Sequence, residues 1–199
     1  MKNIIRTLVA ISCLGMAGTA LATPVTITFT GDNLIGGGSQ ICGLGIPGYC
    51  QDITVGASNL DNWTIADSFT IDLADGYYEF EFQVYNDPNQ ATGNPGGLLA
   101  EITWGVDGVN SSSDSWITGI PLGENTYEYA ANDGSGIWSV VNGISSEAQW
   151  IWTGQNGGTP ETTTGYGVFF TSIYVPEPAT LALFGLGLAG IGFSRRKKA

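Results

Sequence analysis

Hydrophobic and polar positions alternate through most of the chain. The clearest case runs from Tyr77 to Tyr85. Tyr78, Phe80, Phe82 and Val84 interleave with Tyr77, Glu79, Glu81, Gln83 and Tyr85, a period of two that predicts a strand with one buried and one wet face. Ser68 to Leu73 precedes it, separated by Ala74-Asp75-Gly76. Asp-Gly favours a tight turn because glycine accepts positive φ, so the two stretches are expected to form a hairpin. Val25 to Thr30 alternates in the same way, with Val25, Ile27 and Phe29 on one side. Leu98 to Trp104 puts Leu98, Ala100, Ile102 and Trp104 on one side. Tyr127–Ala130, Ile137–Val141, Ala148–Thr153 and Tyr166–Tyr174 complete the expected strands. Turn-rich clusters separate them, among them Asn94-Pro95-Gly96-Gly97 and Asn132-Asp133-Gly134-Ser135-Gly136. No long helical periodicity, internal repeat or second domain interrupts this region. The pattern predicts an all-β fold, a single β-sandwich or jelly roll.

Two stretches break the alternation. At the N-terminal end, Lys2 and Arg6 precede a mostly apolar run from Thr7 to Thr19, and Ala20-Leu21-Ala22 offers an A-x-A cleavage site before Thr23. That is the pattern of a secretory signal peptide, expected to be removed by signal peptidase between Ala22 and Thr23. At the other end, Val175-Pro176-Glu177-Pro178 leads into an uncharged run from Ala179 to Phe193 and then Arg195-Arg196-Lys197-Lys198. The two prolines separate a helix from what precedes it. Fifteen helical residues would span about 22 Å, a short crossing of a hydrocarbon core about 30 Å thick. The basic cluster sets the cytoplasmic side and leaves residues 23–174 outside. The expected organisation is signal peptide 1–22, acidic sandwich 23–174, and sorting segment 175–199.

This C-terminal arrangement resembles the PEP-CTERM sorting signal of Gram-negative bacteria. Pro176-Glu177-Pro178, the glycine-rich apolar segment with Gly185, Gly187, Gly190 and Gly192, and the basic tail carry the resemblance. It implies transient membrane anchoring, then recognition and cleavage near the motif by an exosortase, with delivery to the cell surface or beyond. A second resemblance is shorter. Ala148-Gln149-Trp150-Ile151-Trp152 and Gly167-Val168-Phe169-Phe170-Thr171 are similar to segments of galactose-binding-like jelly rolls. Those often carry an Arg where this chain has Thr171, so this likeness implies architecture more than ligand.

Charge narrows the chemistry. The formal charge of the chain is −12, yet all six basic residues lie in the two terminal segments. Residues 23–174 hold seventeen of the 18 acids and no Lys, Arg or His, so their formal charge is −17. Nucleic-acid binding needs cations to displace counterions from phosphate, so it is not expected. His-based triads, Schiff-base lysines and arginine phosphate clamps lack their residues. Carboxylates, hydroxyls, amides and aromatic rings remain, which suit sugar contact or calcium ligation. No cofactor is expected. A structural Ca²⁺ fits the oxygen-rich turns at Asp72–Asp75, Asn86–Asn89, Asp107–Asp114 and Asn132-Asp133, but none shows the spacing of a specific loop.

Cys42 and Cys50 remain once Cys13 leaves with the signal peptide. An oxidising compartment favours a disulfide between them. The six tryptophans are expected mainly in the core, with Trp150 and Trp152 facing inward together, whereas Tyr77 and Tyr85 sit on the acidic face as candidate exposed rings. Glu79 and Glu81 share that face about 7 Å apart, a separation open to glycosidase chemistry, though a solvated sheet face explains them more simply. The leading expectation is a non-catalytic exported protein, structural or adhesive in exopolysaccharide or biofilm. A carbohydrate-binding module, with or without calcium, is the second reading, and a carboxylate-based glycoside hydrolase the third.

Overall fold

The structure is a computed structural model. It describes residues 22–45, 48–86, 96–113, 115–119, 122–125, 127–153 and 165–177, together with 185 and 187. The strands are β1 Thr23–Asp32, β2 Leu34–Ile35, β3 Gln40–Gly43, β4 Cys50–Asp52, β5 Asp67–Leu73, β6 Gly76–Asn86, β7 Gly97–Trp104, β8 Gly108–Ser111, β9 Ile117–Gly119, β10 Leu122–Asn125, β11 Tyr127–Ala131, β12 Gln149–Trp152 and β13 Gly165–Val175. They form two antiparallel sheets. The first runs β11-β12-β7-β1-β5, with β8 also on β7. The second runs β10-β9-β13-β6-β3-β4, with β2 also on β6.

Alternation sets which side chains meet between the sheets. Val25, Ile27 and Phe29 of β1 and Leu98, Ala100 and Ile102 of β7 face Tyr78, Phe80, Phe82 and Val84 of β6 and Phe169 of β13, all buried. Phe82 stacks on Trp116 at 5.5 Å and leans on Phe29 at 5.9 Å. Burying each such side chain contributes about 1.5–3 kcal/mol, so this seam dominates the stability of the domain. The fold is therefore the two-sheet sandwich that the pattern predicts.

The expected hairpin around Asp75-Gly76 is corrected by the pairing. β5 pairs with β1, from Thr23↔Leu73 to Phe29↔Asp67. β6 instead pairs along its whole length with β13, from Gly165↔Asn86 to Val175↔Gly76. The turn, with Gly76 at φ 153°, carries the chain from one sheet to the other. A hairpin would set Phe69 and Ile71 beside Phe80 and Phe82 on one face, whereas the crossing sets the two rows opposite each other across the core. Both arrangements demand the same alternation, and the available partner strands decide between them.

Ile137–Val141 is also not a strand. Trp138 and Val141 are buried while Ile137 and Val140 are exposed. A side chain serves the backbone that a neighbouring strand would have served. The Asn132 amide donates to the carbonyls of Val141 and Ile144, both at 2.9 Å, and its Oδ1 accepts from Val141 N at 2.8 Å. The segment folds over the outer face of the first sheet and builds a second apolar cluster with Leu99, Ile144, Ala148 and Trp150. Trp138 and Trp150 stack at 4.6 Å. Trp150 and Trp152 are both fully buried, as expected, but Trp150 belongs to this outer cluster and Trp152 to the main core.

Cys42 and Cys50 form a disulfide directly across β3 and β4. It pins the short hairpin at the edge of the second sheet.

Candidate functional site

The outer face of the second sheet gathers the polar and aromatic residues that the sequence singles out. Register places Tyr77 opposite Tyr174, Glu79 opposite Ser172, Glu81 opposite Phe170, and Tyr85 opposite Tyr166. The rings of Tyr77 and Tyr174 lie 4.9 Å apart, those of Tyr85 and Tyr166 5.0 Å. Tyr77 and Tyr166 are each 60% exposed, and Tyr85 is half-buried. Tyr77 thus stands in the open whereas Tyr85 is partly covered, and each belongs to a pair that period two alone does not reveal. Eight residues of strand set the two pairs about 27 Å apart.

Between the pairs, the two glutamates differ. Both oxygens of the Glu81 carboxylate accept from amides, Gln40 Nε2 at 2.8 Å and Gln83 Nε2 at 2.8 Å. Glu79 borders a hollow of about 340 Å³. Phe170 and Ile117 give that hollow apolar surface, and Asn110, Ser115, Thr171 and Ser172 give it hydroxyl, amide and carbonyl groups. It forms where β9, which meets β13 at Phe169 and Phe170 among the described residues, leaves the following stretch of β13 uncovered. Asn110 of β8 reaches across from the first sheet, donating to Thr171 Oγ1 at 2.9 Å and accepting from Trp116 Nε1 at 3.0 Å. Thr171 therefore helps close the side of the sandwich.

Four side chains of the expected calcium turns make hydrogen bonds within the protein. Asn132 and Asn110 hold the loops just described, Asp133 caps Ser135 N at 2.8 Å, and Asp75 accepts from Tyr174 Oη at 2.7 Å. Among the described residues no group of three or more His, Cys, Asp or Glu side chains could hold a metal ion. Asp87, Asn89 and Asp114 lie outside the described residues.

Sequence reasoning missed Asp32. It ends β1, is only 2% exposed, and accepts from Trp138 Nε1 at 3.1 Å and from Asn33 Nδ2 at 2.8 Å. Burial pushes its carboxyl up to about 6, partly offset by the Trp138 hydrogen bond. A single acid at a strand end gives no periodic signal, and its partner Trp138 lies 106 residues away.

At the end of β13 the chain leaves the fold through Val175, which is fully buried and opposite Gly76. The PEP-CTERM protein-sorting motif matches residues 175–197. The tail is a PEP-CTERM sorting motif. No curated protein and no solved structure matches the chain. The motif marks an exported protein, transiently anchored through its C-terminal region and addressed to an exosortase. The first residue of the PEP-CTERM motif is thus also the last core residue of the sandwich. Thr23, which the expected signal-peptide cleavage would make the first residue, lies beside it, its Oγ1 donating to Pro176 O at 3.4 Å. Among the described residues no helix is long and apolar enough to cross a membrane. The apolar run at 179–193, apart from 185 and 187, the basic tail Arg195–Lys198 and the signal segment with Ala20 lie outside the described residues.

Proposed function

We propose that the exported sandwich is a non-catalytic structural or adhesive component of extracellular polysaccharide or biofilm at the surface of a Gram-negative bacterium. The PEP-CTERM motif carries this reading, because it addresses the chain to an exosortase. Glu81 supports a non-catalytic role, since both its oxygens already serve structural hydrogen bonds to Gln40 and Gln83. So does the lack of Lys, Arg and His between residues 23 and 174. Deleting Pro176 to Pro178 should leave the tail uncut. The same mature mass in wild-type and deletion strains would defeat the sorting reading. For the adhesive role, wild-type cells should retain the protein in isolated exopolysaccharide; full recovery in the free medium would count against it.

One observation favours carbohydrate binding as the second reading. The hollow beside Glu79 combines an aromatic surface with hydrogen-bonding groups, and about 340 Å³ is at the lower end of small-ligand sites. A sugar offers both an apolar face and hydroxyls. The charge of −17 directs the choice to neutral glycans. A glycan array run with and without Ca²⁺ tests it, with Phe170→Ala as the control expected to abolish any signal. Silence under both conditions removes the reading.

A further inference from the structure

The structure brings both membrane-directed segments to one pole of the sandwich. Thr23 and Pro176 are joined by a hydrogen bond, Thr23 pairs with Leu73, and Val175 pairs with Gly76. The pole therefore includes the start of β1, the Ala74-Asp75-Gly76 turn, the β7–β8 turn after Trp104, Leu44 beside Tyr77, and the start of the PEP-CTERM motif. The basic residues of the signal segment and of the tail both set a cytoplasmic side, so the chain loops out and back. A domain whose two ends are adjacent suits that path.

The distance available is short. Val175 is buried in the core, so only Pro176, Glu177 and Pro178 separate the folded domain from the apolar run starting at Ala179. Three residues reach at most about 10 Å. The headgroup layer on one side of a bilayer takes up about 5–7 Å of that. The apolar run is also shorter than the hydrocarbon core it must cross, which draws the motif toward the membrane. The domain has no room to stand clear of the surface.

The side chains at this pole fit the headgroup layer. Tyr77 and Tyr174 form their exposed pair there, within three residues of the motif, and Asp75 holds the Tyr174 hydroxyl. Tyrosine rings with an apolar body and a polar tip concentrate at membrane–water interfaces. Asp72, Asp75, Asp107 and Glu177 lie at this end, and residues 23–177 contain no cation, which disfavours an anionic surface. We propose that, until the tail is cut, the sandwich stands on this pole against a zwitterionic lipid surface, with Tyr77 and Tyr174 in the headgroup layer. The proposal rests on the tail being a membrane anchor. It reassigns Tyr77 from a sugar platform to a membrane contact and leaves Tyr85 and Tyr166 facing outward.

The test uses the full chain in phosphatidylcholine vesicles containing a nitroxide-headgroup lipid. In a Cys13→Ser background, a fluorophore is attached at Ala74→Cys near the pole or at Tyr166→Cys about 27 Å along β13. Both positions are exposed. The expected result is a several-fold greater loss of fluorescence at position 74 than at 166 in protein that floats with the vesicles. Equal loss, or greater loss at 166, overturns the docking while anchoring stands. Failure to float with the vesicles overturns the anchor, and the docking with it. Tyr77→Ser with Tyr174→Ser, added to the Ala74→Cys chain, should reduce the quenching without changing tryptophan emission. Unchanged quenching in that folded variant would show that the rings do not make the contact.

Discussion

Asp32 makes the stability of the sandwich depend on pH in a direction opposite to the usual acid denaturation. Its carboxyl is raised from 3.8 to about 6 because burial disfavours the anion. The folded state therefore holds this proton more tightly than the unfolded chain. The contribution is most favourable below pH 4, declines as pH rises between about 4 and 6, and is constant above. Keeping the buried anion at neutral pH therefore costs about 3 kcal/mol. Asp32→Asn removes the charge and keeps one oxygen for the indole of Trp138, but loses the acceptor for the Asn33 amide, at a cost of about 1 kcal/mol. The variant should therefore be about 2 kcal/mol more stable than wild type at pH 7.5 and about 1 kcal/mol less stable at pH 3. Urea titrations read by tryptophan fluorescence, run on both proteins across this range, measure the difference. The other carboxylates titrate in both chains and cancel in the comparison. Two stability curves that stay parallel, with no change of sign, would refute the argument that the buried anion is the disfavoured form.

Three further perturbations probe the fold. Reducing the Cys42–Cys50 bond should cost about 2.5 kcal/mol from the entropy of its short loop, read as a lower Tm with reductant. Asn132→Ala orphans the buried backbone groups of Val141 and Ile144 and should cost roughly 3 kcal/mol, with faster amide exchange across 141–148. At Gly97 an added Cβ would meet Trp150 at 2.8 Å and Trp138 at 3.0 Å, both rigid rings, so Gly97→Ala should destabilise by about 1–3 kcal/mol in the same urea assay.

Local alternation is enough to assign the side of each strand that faces the core, because burying one face of a pleated strand requires a period of two. Tyr78, Phe80, Phe82 and Val84 follow directly from that requirement, as do the exposed Tyr77 and the half-buried Glu79 on the opposite face. The route of the protein is legible in the same way, because a charge-free run flanked by prolines and a basic cluster is read locally by membrane and enzyme. Strand pairing is not. Asp75-Gly76 serves equally as a hairpin turn or a crossing between sheets, and the match of β5 to β1 and β6 to β13 selects the crossing. The same holds for Asn132, which replaces a strand partner for Val141, and for Asp32, which meets Trp138 only when distant segments pack. The shared pole of Thr23 and Pro176, 153 residues apart in the chain, is the furthest case. Periodicity fixes a residue's facing because its cause is local, whereas neighbours across a sheet depend on which strands compete for the same edge.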